Sequence, residues 1–186
     1  AERAAGTVYN SAVLAHPDGW RKVYRKCQLY GAYERDLFAP GDKAPAVFSI
    51  GDVKAGILIC FDVEFPEMVR RLAVAGADLV LVPTAQPDTP DASFIAEKIV
   101  PVRAFENGIA IVYADHAGRD TRFAYAGRSC IALPDGSDGA RAPGKQDQPV
   151  IFRSDHPFIY LIRDSRSGNL LLVGRTLAPR CIAATI

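Results

Sequence analysis

A lone cysteine at the end of an apolar run is the residue in this chain best placed to do chemistry. It stands in Gly56-Ile57-Leu58-Ile59-Cys60-Phe61-Asp62-Val63-Glu64-Phe65-Pro66-Glu67. Residues 53–59 read as a buried strand, and Pro66 suits the first position of a helix, where its missing N–H would have no partner anyway. Cys60 is therefore expected at a strand-to-helix elbow, near the positive end of a helix dipole. Such a setting lowers a thiol pKa and turns backbone N–H groups toward a developing oxyanion. On local pattern alone, a buried core thiol accounts for the residue equally well.

A second basic and aromatic segment stands upstream. It runs Tyr24-Arg25-Lys26-Cys27-Gln28-Leu29-Tyr30-Gly31-Ala32-Tyr33-Glu34 and ends in Phe38-Ala39-Pro40-Gly41. Together with residues 56–67 it resembles the nitrilase, or carbon–nitrogen hydrolase, superfamily, particularly its amidase branches. Further agreement comes in family order from Tyr9-Asn10-Ser11-Ala12, from residues 75–85, from Arg103-Ala104-Phe105-Glu106-Asn107 and from Pro134-Asp135-Gly136. The resemblance covers residues 1 to about 140. It implies Cys60 as nucleophile, forming a covalent thioester with a linear carboxamide, and Lys26 as oxyanion stabiliser beside the backbone N–H of Phe61. Glu34 matches an auxiliary glutamate that would hold Lys26 by charge-assisted hydrogen bonds. Glu64, Thr84 and Ala85 are expected to line the substrate pocket.

Two departures accompany the resemblance. The family's general-base glutamate belongs well before the Tyr-Asn-Ser-Ala strand, and this chain starts almost at that strand, so the base is expected to be missing. Glu2 stands in the wrong context to replace it. At the other end, residues 149–179 resemble the C-terminal hairpin of a serpin, through His156-Pro157-Phe158 and Leu172-Val173-Gly174-Arg175. The expected organisation is thus a partial carbon–nitrogen hydrolase domain over 1–137, a linker over 138–149 and a serpin-like hairpin over 150–186. A catalytically inert chimera and a serpin-type inhibitor are the rival readings, the latter lacking a recognisable reactive loop and receiving sheet.

The bulk composition fits a folded body. At 186 residues, 49% hydrophobic and 23% charged, the chain can bury a core. A net charge of +1 supplies no electrostatic reason to expect nucleic acid or an anionic membrane as partner, and no run is long enough to span a bilayer. Cysteines at 27, 60, 130 and 181 lack zinc or Cys-x-x-Cys spacing, so no metal or organic cofactor is expected. Free thiols in a reducing cytosol are the simplest reading. The family resemblance adds a possible homodimer.

These residues need elements to position them. Residues 7–15 and 20–29 read as paired strands across Pro17-Asp18-Gly19, leaving Lys26 near a strand end. Residues 31–45 read as a long irregular loop. Residues 47–50 and 53–60 form a hairpin across Gly51-Asp52. Helices are expected over 66–75 and over 91–107, the second disturbed at Pro101 and ended by Asn107-Gly108. Strands over 78–82 and 109–114 alternate with them, and residues 123–133 pair behind the latter. The sum is an α/β class, which the resemblance makes an incomplete α-β-β-α sandwich with a β-hairpin appendage.

Overall fold

The computed structural model describes residues 1–16 and 18–144, and beyond them the backbone of four strands over residues 150–152, 158–163, 170–176 and 182–184. Four short strands open the chain: β1 (Glu2–Ala4), β2 (Thr7–Tyr9), β3 (Ser11–Ala15) and β4 (Arg21–Arg25). β1 pairs with β2, and β3 pairs with β4 from Ser11 opposite Arg25 to Ala15 opposite Arg21. The single strand expected over 7–15 is therefore divided at Asn10. Glu2 pins β1 to β4, its carboxylate accepting from Arg25 at 2.6 and 3.0 Å and from the Ser11 hydroxyl at 2.9 Å.

The stretch expected as an irregular loop instead contains a helix, α1 (Gly31–Leu37). Seven residues with no buried side chain give no apolar stripe to read. The helix is held by side chains: the Glu34 carboxylate accepts from the backbone N–H of Tyr30 at 2.6 Å, and Tyr33 packs edge-on to Phe123 with centroids 5.6 Å apart. Beyond α1, Gly41 donates to the Lys26 carbonyl at 2.8 Å. A Cβ there would stand 2.4 Å from the Arg25 carbonyl oxygen, so only glycine lets the returning chain close over the end of β4.

The main sheet follows. Its members are β5 (Phe48–Ile50), β6 (Val53–Ile57), β7 (Leu79–Thr84), β8 (Ala110–Asp115), β11 (Cys130–Ala132) and β12 (Asp138–Arg141), in spatial order β12-β11-β8-β7-β6-β5. β6, β7 and β8 run parallel, and the outer neighbours are antiparallel. Gly51 has φ +59°, as the tight β5–β6 turn requires of its first central residue. β7 is buried along almost its whole length, as expected of a central parallel strand covered on both faces. The short hairpin of β9 (Ala117–Arg119) and β10 (Ala124–Ala126) lies between β8 and β11 in sequence.

Helices supply the crossovers. α2 (Pro66–Val74) has Pro66 at its first turn and buries Val69 and Leu72. The second crossover is one continuous helical path, α3 (Asp91–Phe94), a π-type stretch Ile95–Ile99, and α4 (Val100–Asn107), closed by Gly108 at φ +63°. The π stretch ends two residues before Pro101, which has no N–H to offer the carbonyl four residues back and whose ring would collide with it; widening the turn removes the conflict. The disturbance expected at Pro101 is thus present, and the helix survives it.

The core is apolar and continuous from β5 to β11, with Leu58, Val63, Val69, Leu72, Val80, Val82, Val100 and Ile111 at zero exposure. Contact between α2 and β6 is set by Gly56, where an added Cβ would meet Leu72 methyls at 2.6 and 2.7 Å. Gly56→Ala should therefore cost about 1–3 kcal/mol by overpacking, read as a lower urea midpoint at unchanged slope. A midpoint within error of the parent's would mean that Leu72 moves aside freely.

Two expectations about the chain end meet the structure differently. Asp138–Arg141 is a strand of the main sheet, paired with β11, and not the start of a linker. The Gly, Ala and charge content that suggested a linker also suits an edge strand, where the outward backbone stays solvated and Arg141 pairs with Asp138 at 2.6 Å. Further on, β13 (Val150–Phe152) pairs with β16 (Ile182–Ala184), and β14 (Phe158–Arg163) pairs antiparallel with β15 (Leu170–Thr176). The expected hairpin across 165–169 is present as backbone pairing, its turn lying outside the described residues. Among the described residues, no helix is long and apolar enough to cross a membrane.

Candidate active site

The elbow forms as its sequence suggests. Ile59 ends extended, Cys60 adopts φ +48°, and a 3-10 turn, Cys60–Glu64, leads into α2. A non-glycine residue in the left-handed region costs on the order of 1–2 kcal/mol, which the packing around it must offset. Arg103 of α4 supplies part of that support. Its guanidinium donates to the carbonyls of Val63 at 3.3 Å and Glu64 at 2.8 Å, and it pairs with Glu106 at 3.1 Å. The Arg103–Glu106 pair, three residues apart on one helix, thus also braces the elbow.

Lys26 lies just past the end of β4 and is 1% exposed. Its ammonium donates to both oxygens of Glu34, at 2.6 and 2.9 Å. Glu34 also accepts from Asn10 Nδ2 at 3.1 Å and from the Tyr30 N–H at 2.6 Å. With four hydrogen bonds accepted from these three groups its lone pairs are fully engaged. α1 therefore matters because it carries the carboxylate that makes a buried ammonium tolerable.

A further buried carboxylate, Asp62, stands where an acidic residue would ordinarily be a solvated helix-start charge. It is fully buried, and its carboxylate joins two segments. Oδ1 accepts from the Gln28 N–H at 2.8 Å, and Oδ2 from the Ile59 N–H at 3.0 Å and the Tyr24 hydroxyl at 2.9 Å. Burial pushes the Asp62 carboxyl up, against the Gln28, Ile59 and Tyr24 hydrogen bonds and the Lys26 charge. The signal that could have found it is its place two residues after the nucleophile candidate, on a 3-10 turn where an acidic side chain reaches back to the N-cap N–H.

The electrostatics of the thiol run opposite to the sequence expectation. Burial pushes Cys60 up to about 11, although the Lys26 charge and a backbone hydrogen bond from Ala85 pull it down and Glu34 and Asp115 add to the rise. Desolvation outweighs the helix-terminus and lysine effects that suggested a lowered pKa. Cys130 is likewise pushed up to about 11 by burial, as an apolar strand position implies. The sign of the pH dependence follows. Both thiols keep their protons in the folded state when an unfolded thiol has lost its own, so their stabilisation is complete below about 9 and disappears as pH rises toward about 11. The unfolding free energy should fall by about 1–3 kcal/mol per thiol across that window. Urea titrations from pH 8 to 11 on the parent and on Cys130→Ala measure this; an equally steep fall in both proteins would remove Cys130 from the account.

The remaining pocket candidates sit at strand and turn ends. Thr84 is 3% exposed at the end of β7, and Ala85 follows it beside the thiol. Glu64, at the end of the 3-10 turn, has its carboxyl pushed up by burial, with Lys26 opposing. Asp115, unremarked in sequence, braces this wall: its oxygens accept from the N–H groups of Gln86 at 2.9 Å and Arg128 at 3.0 Å. The Phe61 ring packs edge-on between Tyr30 and Phe65, with centroids 5.2 and 5.0 Å away. Among the described residues, no cluster of three or more His, Cys, Asp or Glu has the makings of a metal site. A separate cleft of about 350 Å3, bounded by Glu2, Arg25, Asp42, Val47 and Phe48, contains neither Cys60 nor Lys26.

Comparison with known proteins decides the family. The carbon–nitrogen hydrolase profile matches residues 1–155. The chain belongs to the carbon–nitrogen hydrolase family. The match takes in residues 138–149 as well. A hydrolase encoded in the pqqF 5′ region of Pseudomonas protegens is 39% identical over 171 residues, 91% of this chain and 58% of that protein. A nitrilase of Pyrococcus abyssi is 36% identical, over 91% of this chain and 62% of its own length. Among solved structures, an amidase from Nesterenkonia sp. AN1 superposes with a TM-score of 0.67 at 41% identity, covering 71% of this chain and 51% of that one. A variant of that amidase carries the acetamide moiety of fluoroacetamide on its active-site cysteine, and another was solved with butyramide. The chain thus spans about half to three fifths of the length of these relatives. Its α/β fold is part of the nitrilase-type fold, and its family is that of amidases and nitrilases.

Proposed function

We propose that this chain carries the nucleophile and the oxyanion-stabilising residues of an enzyme that hydrolyses small carboxamides to the acid and ammonia. In the first step the Cys60 sulfur bonds to the carboxamide carbon, the C–N bond breaks, and the thiol proton leaves with nitrogen as ammonia. In the second, water adds to the thioester carbon, the C–S bond breaks, and a proton returns to sulfur. The Lys26 ammonium and the Phe61 N–H stabilise the oxyanion in both steps. Glu34 holds Lys26, and Glu64, Thr84 and Ala85 form the substrate wall. The observation that carries this reading is a fully enclosed ammonium whose charge bears on a thiol held at a positive-φ elbow.

The family resemblance gives Cys60 a glutamate as proton acceptor, and none of the described residues is assigned that role here. Glu34 is unsuited to that task because its oxygens already accept four hydrogen bonds. Ammonia release from butyramide and acetamide tests the reading. Any turnover should vanish in Cys60→Ala, whereas turnover that persists in that variant would remove Cys60 from the mechanism. We further propose that the C-terminal strands form an appendage to the α/β body, each pairing with another strand of this stretch; the serpin resemblance of residues 149–179 gains no support from the comparisons, since the carbon–nitrogen hydrolase match itself runs on to residue 155. Amide exchange over residues 158–163 and 170–176 should be faster than over 53–57, and equal protection would show one cooperative core.

A further inference from the structure

Most features outside the Cys60 site have a structural explanation at hand. Arg128–Glu97 and Arg141–Asp138 are surface pairs, and the cleft beside β4 holds no unpartnered buried polar group. Asp62 is different. It is a fully buried carboxylate whose side-chain bonds all go to neutral donors, on an element that already has Pro66 and Arg103 to shape it. Burying an ion this way is costly, and a neutral residue of similar volume would fill the same space.

The three donors show what the ion does. Ile59 immediately precedes Cys60, Gln28 lies two residues after Lys26, and Tyr24 two residues before it. The carboxylate therefore ties both flanks of Lys26 to the leading flank of Cys60, across 34 and 38 residues of sequence for Gln28 and Tyr24. Resting on the catalytic reading above, we infer that Asp62 is a positioning residue that sets the separation of the Lys26 ammonium from the Cys60 sulfur. Without it the strand end carrying Lys26 and the elbow carrying Cys60 can drift apart, although each retains its own packing. Asp62 touches no reacting atom.

The test reads the thiol itself and so does not depend on turnover. Iodoacetamide labelling of the full chain, followed by peptide mapping, yields the rate at Cys60 against pH with Cys130 as internal control. In Asp62→Asn the amide keeps the shape but turns one acceptor into a donor facing donors. Lys26 moves away, its favourable effect on the thiolate weakens, and the Cys60 profile shifts upward by about one pH unit, a roughly tenfold slower labelling below it. Tyr24→Phe removes a single donor and should slow Cys60 in the same direction by about twofold to threefold; it decides the matter should Asp62→Asn fail to unfold cooperatively. In a Lys26→Met background, Asp62→Asn should add no further shift, because the group it positions is gone.

Outcomes separate the two levels of the account. Cys60 labelling no faster than Cys130 in the unaltered chain would defeat the nucleophile reading. Cys60 labelling faster than Cys130, with profiles unchanged in Asp62→Asn and Tyr24→Phe, would overturn this inference alone. Faster labelling in Asp62→Asn would overturn it too, since it would show that the carboxylate only keeps the elbow closed.

Discussion

Lys26→Met should lower the unfolding free energy by about 3–5 kcal/mol, the range seen when one partner of a buried ion pair is removed. The reason is what remains behind. Glu34 is 13% exposed at its side chain and would lose its two contacts to the ammonium, keeping only Asn10 and the Tyr30 N–H. An uncompensated carboxylate in that position must take up a proton, draw in water or unfold α1. Restoring neutrality on the other side, in Lys26→Met with Glu34→Gln, should recover a substantial part of the loss. The double variant isolates the pair from the packing of each side chain. Urea unfolding of the parent, both single variants and the double variant measures it. A cost below about 1 kcal/mol for Lys26→Met would mean that the pair behaves as a solvated surface bridge.

The second large effect concerns turnover. Against butyramide the 186-residue chain should work about 10²–10⁴ more slowly than an amidase with its general base in place. Two features combine here. The thiol is pushed up to about 11, so at neutral pH only about one molecule in 10⁴ carries the thiolate without help. The carboxylate nearest Lys26 has no free lone pair to provide that help. Raising the pH from 7 to 9 should therefore increase the residual rate steeply, up to about tenfold per unit, as the thiolate fraction grows. A rate typical of complete enzymes, lost in Cys60→Ala and flat over that pH range, would show that a proton acceptor within these residues suffices.

Parts of this site can be read from the residues because they obey local rules. Pro66 marks a helix start, an apolar run marks a central strand, and Cys60 falls between them; the elbow needs nothing further. Gly108 ending α4 and the irregular turn before Pro101 are equally local. The Lys26–Glu34 partnership comes from the family motif, eight residues apart, since neither residue type nor spacing alone separates it from a surface pair. What could not be read depends on tertiary enclosure. α1 has no periodic apolar face and is held by contacts that Glu34, Tyr33 and its N-cap Tyr30 make to other segments. The sign of the Cys60 shift depends on how completely other groups exclude water from sulfur, which pattern cannot convey. Asp62 reads as a helix-start charge until Gln28 and Tyr24 are seen to reach it from more than thirty residues away. At residues 138–141 composition suits an edge strand and a linker alike; only pairing with β11 distinguishes them.

The central claim is that Cys60 is the nucleophile toward carboxamides. Its most direct test is treatment of the chain with fluoroacetamide at about pH 9, with and without excess butyramide, followed by intact mass and peptide mapping. The account predicts one acetamide moiety, placed on Cys60, and less of it when butyramide competes for the pocket. Modification of Cys27 or Cys181 with Cys60 untouched, or labelling of Cys60 that butyramide does not slow, would contradict it.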